Sequence, residues 1–91
     1  MPKENWFKIL GDDHNLAILS LLIDGRPRNL YTISRQSKIY PKTVRSHLKK
    51  LMRSEVIETE SIGGITLYKI HRERFAEEIL TFLRWLEARR T

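Results

Sequence analysis

The sequence of 91 residues contains no cysteine, which excludes disulfides, thiolate metal sites and thiol nucleophiles. It has no long apolar run either. LAILSLLI, from Leu16 to Ile23, is the longest and is interrupted by Ser20; it falls far short of the roughly 20 residues that a membrane helix needs. The beginning, MPKENWFKILGDDH, is without the basic-then-apolar layout of a secretory signal. A cytoplasmic location is therefore expected, with no membrane insertion. Four glycines do not make a phosphate loop, no serine has an evident base partner at a recognisable motif, and the carboxylates are scattered. Neither enzymatic chemistry nor a cofactor is expected from such a chain. With no internal repeat, its length suits a single domain spanning 1–91.

The most informative absence is acid. Between Gly25 and Ser54 there is no Asp or Glu, while nine basic residues fall there: Arg26, Arg28, Arg35, Lys38, Lys42, Arg45, Lys49, Lys50 and Arg53. The rest of the chain holds 8 basic and 11 acidic residues, so the net charge of +6 is concentrated in one stretch. A solvated helix face would intersperse Glu among its cations. A pure run of one sign points instead to a polyanion-binding surface.

The patch is mounted on helices. A short amphipathic helix carrying Trp6, Phe7, Ile9 and Leu10 stops near Gly11, and Asp12 then caps a second helix running through Ile23, closed by Gly25 and Pro27. Its near-continuous apolar residues predict a position in the centre of the core. A shorter helix over about Leu30 to Ser37 turns Leu30, Ile33 and Tyr31 inward. After a tight connection at Lys38 to Pro41, another helix begins with proline at its first position, where the missing N–H has no intrahelical acceptor anyway. Two helices joined so closely form a helix-turn-helix pattern.

On this last helix, about 41–53, Val44, Leu48 and Leu51 share one stripe at 100° per residue, with Lys42, Ser46, Lys49, Lys50 and Arg53 opposite and Thr43 and Arg45 on the flanks. One face is core and the other is cationic and hydrogen-bonding. Such a helix fits the DNA major groove, where its N-terminal part reaches base edges. Lys42, Thr43, Arg45 and Ser46 are therefore the expected base readers. Lys49, Lys50 and Arg53, farther along, are expected on phosphates, together with Arg35, Lys38 and Tyr40 around the turn.

Downstream, Val56 and Ile57 begin a strand, and ESIGGITLYKI is a hairpin turning at Gly63 and Gly64, which supply the positive φ angles of a two-residue turn. That turn sets Ile57 opposite Ile70, Glu58 opposite Lys69 and Thr59 opposite Tyr68, with the first and third pairs inward and Glu58–Lys69 exposed. The chain is thus expected to be mainly α with a small β-hairpin, in the order of a winged helix-turn-helix.

The run LYTISRQSKIYPKTVRSHLKKLMRSEVIE resembles the core of the ArsR-like winged helix-turn-helix transcriptional regulators, whose recognition helix commonly carries Thr-Val, two polar residues, His-Leu and a Lys-rich turn to Leu. Here these are Thr43, Val44, Arg45, Ser46, His47, Leu48, Lys49, Lys50 and Leu51. The resemblance covers a core of about 12–70, with flanking helices over 1–11 and 72–90. Three departures stand out. Lys38 occupies a turn position that is usually Gly, Tyr40 stands where Ser or Thr usually caps, and the wing tip, Ile62-Gly63-Gly64-Ile65, lacks the family's frequent basic residues. The wing is therefore expected to make backbone and apolar contacts at most. Metal-sensing members place Cys, or His and carboxylate clusters, on their terminal helices. Here His14, His47 and His71 are widely spaced, so no metal is expected; His47 is assigned to packing or a local hydrogen bond, and His14 and His71 to the surface.

The C-terminal segment RERFAEEILTFLRWLEARR reads as a long helix with an inner stripe of Phe75, Ile79, Phe82, Leu83 and Leu86, and with Leu80 and Trp85 to either side. So wide an apolar surface exceeds what a two-stranded wing and three short helices cover. Ile79, Leu80, Phe82, Leu83, Trp85 and Leu86, with Trp6, Phe7 and Leu10, are the expected interface of a homodimer. A two-fold dimer would present two basic helices to successive major grooves about 34 Å apart. The expected partner is double-stranded DNA, bound sequence-specifically by a transcriptional regulator; the alternative is a winged-helix protein-interaction module or a non-specific nucleic-acid binder, whether DNA-coating or RNA.

Overall fold

Helix α1 (Asp13–Leu22) begins where Asp12 accepts the backbone N–H of Asn15 at 3.0 Å, a side-chain cap worth about 1 kcal/mol. In the computed structural model, which describes residues 8–90, it is followed by α2 (Leu30–Ser37), α3 (Pro41–Arg53), strands β1 (Ile57–Ile62) and β2 (Ile65–Ile70), and α4 (Arg72–Arg90). This is the mainly helical, winged helix-turn-helix order that the sequence predicts.

The core draws on nearly every element. Ile18, Leu22, Ile33, Val44, Leu48, Leu51 and Val56 are fully buried, joined by Ile9, Leu19, Leu30, Ile57 and Ile70. Leu10 packs against this cluster, whereas Trp6 and Phe7 lie outside the described residues. Helix α1 buries only Asn15, Ile18, Leu19 and Leu22, a single face at helical spacing, and leaves Leu16 and Ile23 exposed. It therefore packs one face into the core and leaves the other in solvent, rather than being enclosed on all sides. Tyr31 also points outward, because α2 buries Leu30, Ile33 and Ser34 instead.

The two helix ends of the helix-turn-helix share a device. Lys38 (φ 60°) and Glu55 (φ 61°) both take the left-handed conformation that favours glycine. Each conformation lets the next residue bond back across the helix end: Ile39 N–H to Ser34 O at 3.2 Å and Val56 N–H to Leu51 O at 3.2 Å. The Ser34 hydroxyl closes the first turn further by donating to the carbonyl of Ile39.

Strands β1 and β2 pair antiparallel in the register read from the sequence, with Ile57 opposite Ile70 and Thr59 opposite Tyr68. Gly63 and Gly64 turn the hairpin at φ 56° and 79°. The inward face is shorter than expected: Ile57 and Ile70 are buried and Tyr68 half-buried, but Thr59 is exposed. The outer edge of β2 is partly covered, since Arg28 and Tyr68 exchange backbone hydrogen bonds of 2.9 and 2.7 Å. Edge coverage of this kind blunts unwanted strand pairing.

Helix α4 has no fully buried residue. Phe75 packs on the core and Ile79 and Phe82 are half-buried, but Leu83 and Leu86, predicted on the inner stripe, are exposed. At 19 residues the helix is about 28 Å long and outruns the body it leaves. Among the described residues no helix is long and apolar enough to cross a membrane.

Candidate nucleic-acid interface

Helix α3 divides by face as its sequence predicts. Val44, His47, Leu48 and Leu51 are buried; Lys42, Arg45, Ser46, Lys49, Lys50 and Arg53 are exposed, and Thr43 is half-buried. Pro41 opens the helix, and Tyr40 provides no side-chain cap, as its residue type implies. Lys50 and Arg53 in the last turn also complement the negative end of the helix dipole. Among the described residues, no carboxylate forms an ion pair with any lysine or arginine of α3.

The flanking cations fall into distinct places. Arg35, Lys38 and Tyr40 line one shallow depression at the turn between α2 and α3, with Tyr40 83% exposed. Lys49 and Arg53 border another with Met52, while Lys50 and Arg53 line a groove toward Lys8, Asp12 and Asn15. The turn group and the late-helix group thus bracket Lys42, Thr43, Arg45 and Ser46. Arg28, by contrast, leaves the free patch. Its guanidinium meets Asp24 at 2.7 and 3.0 Å and donates to the Leu21 carbonyl at 2.6 Å. That hydrogen bond holds the Asp24 carboxyl well below the usual carboxylate range and raises Arg28. The acid-free window of the sequence begins one residue after the acid that neutralises Arg28.

The wing carries its charge away from its tip. Glu58 and Glu60 lie 3.7 and 4.0 Å from Lys69, and Glu58 also lies 3.6 Å from His71. Ile62 and Ile65 at the tip are 61% and 53% exposed.

One cluster escaped the linear reading. His47 donates from Nδ1 to Asn15 Oδ1 at 2.7 Å, because the Asn15 amide nitrogen is committed to the Ile9 carbonyl at 3.3 Å. In place of the local hydrogen bond expected of His47, this bond crosses to α1, and Asp12 and His14 lie beside it. His14 is exposed, as expected, yet its ring meets that of His47 edge-to-face at 5.1 Å. Burial lowers the His47 pKa, with Lys50 and His14 acting the same way and Asp12 opposing. Histidines that are distant in sequence are neighbours in space, so wide spacing did not exclude a shared site.

Comparisons with known proteins agree with this geometry. The model of the bacterial regulatory protein, arsR family, matches residues 12–59, more than half of the chain. Curated proteins give no match. Among solved structures, an ArsR-like transcriptional regulator from Rhodococcus sp. RHA1 superposes with a TM-score of 0.79 at 17% identity, covering 94% of this chain and 80% of its own. The reduced form of the transcriptional regulator YodB from B. subtilis gives 0.73 at 25%, covering 97% and 88%. The homodimeric winged helix-turn-helix DNA-binding domain of a possible ArsR-family regulator from Mycobacterium bovis gives 0.72 at 22%, covering 93% and 79%. From the match over the helix-turn-helix, whose second helix is the basic α3, the chain belongs to the arsR family of bacterial DNA-binding transcriptional regulators.

Proposed function

We propose that the protein acts as a homodimer that binds double-stranded DNA sequence-specifically, with α3 in the major groove. One observation carries this reading: Lys42, Arg45, Lys49, Lys50 and Arg53 are all exposed on α3 and none has an ion-pair partner among the described residues. Self-repulsion among such cations disfavours the free protein and is relieved by a polyanion. Lys42, Thr43, Arg45 and Ser46, in the first turns, read base edges. Arg35, Lys38 and Tyr40 on one side and Lys49, Lys50 and Arg53 on the other hold phosphates. The uncharged tip at Gly63 and Gly64 limits the wing to backbone and apolar contacts. Dimerisation through α4 is supported by the exposure of Leu80, Leu83, Trp85 and Leu86, and by the description of the Mycobacterium bovis relative as homodimeric.

Selection from a random duplex library at near-physiological salt tests the reading. The expected product is an inverted repeat with half-sites about one helical turn apart. Weak uniform binding that vanishes with salt would indicate a DNA-coating role, and absence of any duplex binding would point to an acidic protein partner.

A further inference from the structure

We infer that Asp12, His14 and His47 form a divalent transition-metal site that ties the start of α1 to the inner face of α3. One ligand atom from each of the three lies within 4.8 Å of the others. Asp12 Oδ1 is 3.7 Å from His47 Nδ1. Donor atoms around a tetrahedral ion with bonds of about 2.0 Å stand about 3.3 Å apart. The Asp12–His47 pair is already near that separation. His14 is exposed in the first turn of α1 and closes the remaining distance by rotating its side chain.

The chemistry of the donors selects the ion. Two imidazoles and one carboxylate suit Zn²⁺, Co²⁺ or Ni²⁺ rather than Mg²⁺ or Ca²⁺, which take oxygen. His47 now carries its proton on Nδ1, facing Asn15 Oδ1. Ligation through Nδ1 breaks that hydrogen bond and moves the proton to Nε2, with no net change in protonation.

The surrounding charge sets the strength. Lys50 acts on His47 from the same helix, and Lys8 and Arg53 border the adjoining groove. These cations weaken binding of another cation without removing the donors. The site differs from the terminal-helix clusters that the family resemblance implied.

Calorimetric titration of the full chain, freed of metal by a chelator, with Zn²⁺ at neutral pH tests the site, with visible absorption on Co²⁺ addition as a second readout. About one ion per chain should bind saturably, and His14→Gln and Asp12→Asn should each weaken binding at least tenfold. Both variants are expected to fold, since His14 is exposed and Asn caps a helix about as well as Asp; circular dichroism checks this. His71→Gln should leave binding unchanged. Absence of saturable binding to the full chain, or binding that neither His14→Gln nor Asp12→Asn weakens, overturns the assignment.

Discussion

Lys38 holds a backbone conformation, φ 60° and ψ 34°, in which an L side chain crowds its own carbonyl by about 1–2 kcal/mol. Its side chain is exposed, so nothing packed against it offsets that strain. Glycine would relieve the crowding while giving back part of the gain to unfolded-state entropy. Lys38→Gly should therefore raise stability by about 1 kcal/mol in urea unfolding. If Lys38 also holds a phosphate, the same variant should bind duplex DNA more weakly and with a shallower salt dependence. A variant no more stable than the parent would mean that the turn is relaxed. This strain was legible in the sequence, because a lysine stood where the turn calls for glycine. The equivalent strain at Glu55 was not, because the end of α3 carries no composition signal beyond Ser54. The His47–Asn15 contact was equally hidden: it joins two helices, and only the packing of α1 on α3 sets which residues meet.

Among the elements, α3 was the most legible, since its apolar stripe and its cations obey one period. The hairpin was legible for a related reason: two adjacent glycines fix the turn, and the turn fixes the register. Helix α1 was not, because seven apolar residues in eight positions obscure which face is buried. The sequence likewise gave no sign that Arg28 would be taken out of the patch by Asp24 and by its own bridge to Tyr68. The division of labour along α3 can be tested directly. Arg45 is exposed near the helix start and Lys49 one turn later. Arg45→Ala should weaken binding to the selected site by about 1–3 kcal/mol more than to random DNA. Lys49→Ala should weaken both alike and lower the salt slope by about one. Paired titrations over a range of salt separate these outcomes, and equal losses for Arg45→Ala would remove it from base reading.

For the whole molecule, the question is what the distal half of α4 packs against. The sequence predicts an inner stripe continuous through Leu86, but Leu83 and Leu86 are exposed. Phe75 reaches the core, whereas Leu80 and Leu83 remain 53% and 52% exposed, with Trp85 and Leu86 each at 39%. Trp85 stacks on Phe82 at 6.0 Å and lies beneath the Arg89 guanidinium at 4.8 Å, which stiffens this end of the helix into a defined apolar surface. A second copy related by a two-fold axis would cover it and fix the spacing of the two α3 helices. Leu83→Glu is the cleaner probe of that interface, because Leu83 is more exposed than Trp85. A carboxylate forced into a dry interface without a partner costs several kcal/mol. The variant should sediment as a monomer at concentrations where the parent is a dimer, while retaining the parent's circular dichroism. Its affinity for an inverted repeat should fall toward that for a single half-site, since the two helices would no longer be delivered together. A Leu83→Glu chain that remains dimeric would place the interface elsewhere and separate the arrangement of α4 from the spacing of the DNA site.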